Sequence, residues 1–214
     1  MASGTNEIIS DTEKDTLAEI MNIAFGSATA DLAEVIDIYV KLSVPNIQVA
    51  TAGQLPRYLK ETVVFYHEIS LIEQEFWGDF SGSGLLVLPS RAAKELMALL
   101  MSDGMDNASN MPLATLEEDI LMEIGNILIG ACVGKISELL NTFVTYSPPQ
   151  IISQIIADPQ KFIESFDPFQ TAIIMRTIFT FEKNDLNGLL LLLTNQESIS
   201  WLRKALNTFL EQYR

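Results

Sequence analysis

The chain has 214 residues, of which 48% are hydrophobic and 19% are charged, and its net charge is −15. This composition excludes a disordered tail as the main content, and the acidity argues against binding to nucleic acid or to anionic membranes, which need basic surfaces. One histidine and one cysteine leave little material for a zinc site.

The sequence also favours a cytoplasmic location. A single cysteine cannot form an internal disulfide, which is typical of a reducing compartment. The N-terminus lacks the basic and apolar segments of a signal peptide. The longest continuous apolar run, residues 189–193, is far shorter than the roughly 20 residues of a membrane span.

Two stretches that lie 104 residues apart are nearly the same. DTLAEIMNIAFG (15–26) and DILMEIGNILIG (119–130) are identical at seven of twelve positions, and the same register aligns 84–90 with 188–194 without a gap. Chance at ordinary composition gives less than one identity in twelve. The pattern predicts a duplicated unit, with repeats at about 11–103 and 113–212 in one domain.

The first repeat is predicted to begin with a long helix at about 11–41, from its apolar periodicity. An extended segment follows Pro45 at 46–51. A strand pair, rich in β-branched and aromatic residues, covers about 62–89, and a closing helix covers about 90–101. The polar stretch 102–112 is the predicted linker.

The second repeat is predicted to have the same order. A long helix at about 113–142 is introduced by Thr115 and Glu118, which have the spacing of a capping box. The later elements are an extended segment, a strand pair and a closing helix, at 150–156, 171–193 and 196–213. Strands without long intervening helices indicate antiparallel pairing, so we expect an α+β fold with pseudo-twofold symmetry.

Each long helix carries three polar residues at one spacing: Asp15, Glu19 and Asn22 in the first, and Asp119, Glu123 and Asn126 in the second. At 100° per residue, each trio lies within an arc of about 60° on one helix face. Solvated surface positions explain such residues on a single amphipathic helix. Their retention in both copies, while neighbouring residues differ, favours a function. A polar interface between the halves stays open as a third interpretation.

The residue types indicate which chemistry is available. A glutamate and an asparagine without a Ser–His or Cys–His pair make a poor nucleophile set. An amide can position a water molecule, and a carboxylate can bind a cation on a partner. The first of these roles resembles that of the glutamine that orients the attacking water in some phosphoryl hydrolysis reactions.

The spacing continues to a proline in both copies. Asp15, Glu19 and Asn22 are followed after 22 residues by Pro45, and the trio of the second copy is followed at the same distance by Pro149. This pattern resembles the CheC/CheX/FliY family of chemotaxis phosphatases, and by size the chain looks most like CheC. The resemblance covers the whole chain, including the duplication.

The resemblance implies hydrolysis of the aspartyl phosphate of the response regulator CheY. It assigns water positioning to Asn22 and Asn126, pairing with a regulator lysine to Glu19 and Glu123, and support to Asp15 and Asp119. It places Mg²⁺ on the regulator, so that this chain needs no metal or cofactor of its own. Pro45 and Pro149 are expected to be structural.

Several other positions yield predictions. The family often continues the helix as Ile-Gly-x-Gly-Asn-Ala, of which this chain keeps Gly26 and Gly130 and lacks the asparagine; we expect these glycines to allow close helix packing. Gly125 is expected to make room for a close approach at one site only. His67 is expected to be a strand residue rather than a ligand, and Cys132 to be packed.

Two other functions are possible for such a chain. A non-catalytic binding module, such as the middle domain of the flagellar switch protein FliM, is disfavoured by the intact Glu/Asn pairs and by the expectation of no further domain after Arg214. Regulation of CheD, the receptor deamidase, follows from the resemblance alone. We expect a monomer, because internal duplication can replace a dimer.

Overall fold

The computed structural model describes residues 8–36, 40–55, 57–58, 69–89, 91–92, 94–95, 113–153, 167–181 and 184–212. The long helices among these residues are α1 (Asp11–Ile36), α2 (Leu113–Leu140) and α3 (Gln196–Gln212). Its strands are β1 (Val40–Leu42), β2 (Asn46–Thr51), β3 (Ile69–Gly78), β4 (Gly82–Pro89), β5 (Val144–Tyr146), β6 (Gln150–Ser153), β7 (Thr171–Phe181) and β8 (Asn184–Thr194). A short 3-10 helix covers Ala52–Gln54.

The eight strands of the described residues form one antiparallel sheet, in the order β1-β7-β8-β4-β3-β5, with β2 also paired to β7 and β6 to β3. Each central hairpin therefore takes its outer strands from the other half of the chain. At the centre, Leu86 pairs with Leu190, and these two residues lie 104 positions apart. The predicted α+β fold with antiparallel strands is confirmed, and this pairing has the pattern that pseudo-twofold symmetry requires.

The alignment of the repeats without a gap is wrong within β7. Leu86 pairs with Ile72, whereas Leu190 pairs with Met175, so β7 corresponds to β3 at an offset of 103 residues and not 104. Five residues separate the paired Phe76 and Gly82, whereas six separate the equivalent pair Phe179 and Leu186, and this extra residue restores the offset of 104 in β8. A shift of one residue moves a side chain to the opposite face of a sheet, so the correct register decides which residues correspond.

The main core of the described residues lies between one face of the sheet and helices α1, α2 and α3. Apolar side chains from α1, α2 and α3 bury themselves against alternate residues of the central strands, among them Ile72, Leu86, Met175 and Leu190. The opposite face has its own buried cluster, to which Ala52 and Leu55 contribute. Burial on both faces explains why the central strands are nearly continuously apolar.

The ends of the first two helices differ from the prediction. The first helix does not reach residue 41, because Val40–Leu42 form a strand that pairs with β7. The second ends at Leu140, and Asn141 follows with a left-handed backbone (φ 51°). Short strands therefore separate the helices from Pro45 and Pro149, although both prolines lie directly before an extended strand, as predicted.

The capping box predicted at Thr115 and Glu118 is wrong, because α2 already begins at Leu113. A capping box occurs instead at the start of α1: the Ser10 N–H donates to Glu13 Oε2 (2.7 Å), and the Glu13 N–H donates to Ser10 Oγ (3.3 Å). The Glu13 carboxylate is 3% exposed and also accepts hydrogen bonds from Asn207 and Arg203 of α3. This contact ties the first helix to the last.

Some predicted elements lie outside the described residues. These are the linker 102–112, most of the closing helix predicted at 90–101, residues 62–68 with His67, and residues 154–156. The closing helix predicted at 196–213 is confirmed as α3. The division into repeats at 11–103 and 113–212 stays a prediction.

Residues Thr115–Leu140 of α2 are long and apolar enough, with a mean hydropathy of 1.5, to cross a membrane by composition alone. In this fold, however, the helix packs against α1 and the sheet. More than half of that segment is buried within the protein, as expected for the central helix of a core.

Candidate functional site

The two polar trios predicted from the sequence lie along the outer faces of α1 and α2. Asp15, Glu19, Asp119 and Asn126 are exposed, and Asn22 and Glu123 are half-buried. The neighbouring Leu17, Ile20, Leu121 and Ile124 are buried in the core and fix the orientation of each helix. The helix periodicity therefore places all six polar side chains where a partner can reach them.

The four carboxylates of the trios have no local partners among the residues that the structure describes. Asp15, Glu19, Asp119 and Glu123 form no hydrogen bond or ion pair with the described part of the chain. Other acidic residues of these helices do form ion pairs, such as Asp11 with Lys14 and Glu138 with Lys135. The trio carboxylates are therefore available to a cationic group of another molecule.

The Asn126 side chain is held by a buried residue of the sheet. Gln74 Nε2 in β3 donates to Asn126 Oδ1 (2.9 Å) and to the Ser147 carbonyl oxygen (3.0 Å). The Ser147 carbonyl oxygen can only accept a hydrogen bond, so the end of the Gln74 amide that faces it must be the amino group. The same amino group faces Asn126, so the Asn126 atom that it contacts must be the acceptor Oδ1. The Asn126 amino group is consequently directed away from Gln74, with both N–H groups available.

The first site lacks this contact. Asn22 forms no hydrogen bond with the described residues. The structural counterpart of Gln74 is Thr177 of β7, because its Oγ1 donates to the Ser43 carbonyl oxygen (2.7 Å) just as Gln74 donates to that of Ser147. The shorter threonine side chain forms no bond to α1. The two polar trios therefore consist of the same residues, but only the asparagine of the second trio is held by a hydrogen bond from the sheet.

The sequence pattern does not identify Gln74. Its signal is a run of polar residues, Glu73-Gln74-Glu75, within an otherwise apolar strand. The alignment at a constant offset of 104 pairs Gln74 with Ile178, which lies on the opposite face of the sheet from Thr177. Only the strand pairing reveals which residue supports each asparagine.

The prediction that Gly26 and Gly130 allow close helix packing is wrong. A Cβ atom at either position would meet no atom within 4 Å. Both glycines lie one helical turn after an asparagine of the trio and leave a flat surface beside it. Gly125 is different: a Cβ there would lie 2.5 Å from Ile72 Cγ2, so this glycine allows α2 to approach its own sheet.

Alanine substitutions at these three glycines test the packing of α2 on the sheet, because close packing affects the free energy of unfolding. We expect Gly125→Ala to lower the free energy of unfolding by roughly 1 kcal/mol, because overpacking costs about 1–3 kcal/mol and the helix gains only about 1 kcal/mol. Gly26→Ala and Gly130→Ala are the matched controls and are expected to raise it by up to about 1 kcal/mol each. Urea denaturation measures all three; a stabilised Gly125→Ala would contradict the close approach.

The other reactive groups of the described residues do not form a second site. Cys132 is buried, as predicted, and burial raises the pKa of its thiol far above the ordinary value, so it is not a nucleophile at neutral pH. Among the described residues, no group of three histidine, cysteine or acidic side chains is placed to hold a metal ion. His67 lies outside the described part of the chain.

Known proteins share parts of this sequence. Residues 116–153, which contain the second trio and Pro149, match the model of the CheC-like family. The chain is 27% identical over 143 residues to the flagellar motor switch phosphatase FliY of Bacillus subtilis. That alignment covers 67% of this chain and 36% of FliY, so the chain spans about a third of the length of this curated relative.

Solved structures share the fold. The crystal structure of Thermotoga maritima FliY matches with a TM-score of 0.71 at 19% identity, covering 94% of this chain and 98% of that one. The FliM middle domain from H. pylori matches with a TM-score of 0.57 at 12% identity, covering 92% of this chain and 99% of that one. At these identities the likeness concerns the fold alone.

Proposed function

We propose that this chain, which belongs to the CheC/CheX/FliY family, is a phosphatase that hydrolyses the aspartyl phosphate of a CheY-type response regulator. One observation carries the proposal: both α1 and α2 present the family's Asp/Glu/Asn trio outward, with carboxylates that have no partner in the described part of the chain. Exposed carboxylates without partners in the described part of the chain are available to bind a second protein.

The chemistry requires little from this chain beyond positioning. In an in-line attack, water forms a bond to phosphorus while the bond to the aspartyl oxygen breaks, giving inorganic phosphate and a free carboxylate. Asn22 or Asn126 orients the attacking water through its amide. Glu19 or Glu123 pairs with a lysine of the regulator, and Asp15 and Asp119 support the docked helix. The regulator supplies the Mg²⁺.

The surface around the first trio fits a docking helix. Ile23, next to Asn22, is 51% exposed and offers an apolar contact beside the polar residues. Gly26, one turn further, has no side chain to obstruct a partner. Apolar contact area combined with unpaired charge is typical of a protein–protein interface. The proposed partner, a CheY-type response regulator, and the single cysteine both favour a reaction in the cytoplasm.

The direct test is the decay rate of a phosphorylated CheY-type receiver domain, measured with and without this chain by the release of inorganic phosphate. We expect catalytic amounts of the chain to accelerate the decay. An unchanged lifetime at saturating concentrations of the chain, despite stable binding, would contradict the phosphatase activity.

A second candidate is a non-catalytic module of the flagellar switch, because the FliM middle domain has the same fold. The two intact Glu/Asn pairs favour catalysis over this role. Regulation of the deamidase CheD rests on family resemblance alone. A pull-down that retains CheD, together with an unchanged phosphoryl lifetime, would favour this regulatory role. We propose that the chain is a monomer in solution, and sedimentation measurements can test this oligomeric state.

A further inference from the structure

We propose that Gln74 is a positioning residue for Asn126, and that it makes the second of the two phosphatase sites the more preorganised one. This inference rests on the proposed function, since it assigns a role to a residue that supports one of its asparagines. Gln74 itself touches neither the substrate nor the water; it acts through the amide that it holds.

The first step of the argument is the direction of the two hydrogen bonds. Gln74 Nε2 donates one N–H to the Ser147 carbonyl oxygen and the other to Asn126 Oδ1. One lone pair of Oδ1 is thereby occupied and the other remains for a hydrogen of the attacking water. Both N–H groups of Asn126 remain for the phosphoryl oxygens. The bond selects one orientation of the amide before any partner binds.

The second step is the burial of Gln74. Its side chain is 3% exposed, and its Oε1 atom accepts no hydrogen bond from the described residues. A buried acceptor without a partner lowers stability, and the bond to the Ser147 carbonyl oxygen alone requires only a short donor, such as the threonine that forms the equivalent bond in the other half. A polar residue at this position is therefore better explained by the amide it holds than by the packing of the sheet.

The third step is the comparison with the first site. Thr177 forms the same bond to a serine carbonyl oxygen but none to α1, and Asn22 has no partner among the described residues. An amide that rotates freely must be ordered when the partner binds, whereas an amide already held does not incur that cost. The same catalytic trio is thus preorganised at only one of its two copies.

The experiment isolates the second site with Asn22→Ala and adds Gln74→Met. We expect kcat for receiver dephosphorylation to fall roughly tenfold, because the amide loses its fixed orientation, while KM changes little. The lost bond to the Ser147 carbonyl oxygen should lower the thermal midpoint only modestly. The matched control is Thr177→Val in the same background, which removes the equivalent bond to a serine carbonyl oxygen in the other half and should leave kcat unchanged. Equal losses in both variants would indicate a purely structural role.

A second readout does not depend on activity. In ¹⁵N-edited NMR spectra of the chain alone, Gln74→Met should shift the side-chain NH₂ signals of Asn126 and leave those of Asn22 in place. If the Asn22→Ala background accelerates phosphate release and Gln74→Met retains full kcat, the positioning role is overturned and the phosphatase proposal stands. If neither the background nor the wild-type chain accelerates release, the proposed function fails, and the NMR shift still reports on the amide contact.

Discussion

The double variant Asn22→Ala/Asn126→Ala is expected to lose at least about 100-fold in the rate of receiver dephosphorylation. Removal of one preorganised polar group from a transition state typically costs about 10²–10³ in rate, and the double variant removes the water-positioning amide from both sites. Each single variant retains the other site and should keep a substantial part of the activity. Phosphate release under single-turnover conditions measures the chemical step.

The matched control for this prediction is Asn46→Ala. Asn46 is exposed on β2, away from both helix faces, and undergoes the same chemical change. Its activity should equal that of the wild type. Full activity in the double variant, with its fold verified by circular dichroism, would contradict the assigned role of the asparagines.

Glu13→Ala is expected to lower the free energy of unfolding by about 2–3 kcal/mol. The substitution removes a capping box, which contributes about 1 kcal/mol, and charge-assisted hydrogen bonds to Asn207 and Arg203. Arg203 is 47% exposed, so the loss of its partner costs less than in a fully buried pair. The control is Glu34→Ala, an exposed position on the same helix, which should change stability by less than about 0.5 kcal/mol.

The contribution of Glu13 should also depend on pH. Burial by itself would raise the pKa of this carboxyl, but the hydrogen bonds from Ser10 and Asn207 and the charge of Arg203 outweigh it and lower the pKa below its ordinary value of 4.5. A carboxyl with a lowered pKa stabilises the fold above that value, and the effect is lost as the pH falls through the folded-state pKa.

The stability difference between the wild type and Glu13→Gln should therefore be constant between about pH 6 and 8 and should narrow as the pH falls below the ordinary carboxyl pKa of 4.5. Urea denaturation across this range measures it. A difference that widens on acidification would indicate that the pKa of Glu13 is raised.

Periodicity along the chain is sufficient to predict several features of this protein. Spacing along a helix fixes which side chains share a face, so the sequence alone places Asp119, Glu123 and Asn126 together, and the fold directs them outward. The α+β fold and the antiparallel strands follow from the order of apolar segments. The repeated trio also indicates a family, because its spacing recurs in two copies.

The contacts that hold these residues in place, by contrast, depend on the tertiary structure. The contact between Gln74 and Asn126 joins positions 52 residues apart. Its absence at the first site follows from the shorter Thr177 side chain, and only the strand pairing reveals that Thr177 is the counterpart of Gln74. The same holds for Gly125, whose neighbour is Ile72 of β3, and for Glu13, whose partners belong to the last helix. Local patterns fix the direction of a side chain, whereas its partners depend on strand register and on helix packing, which are properties of the whole fold.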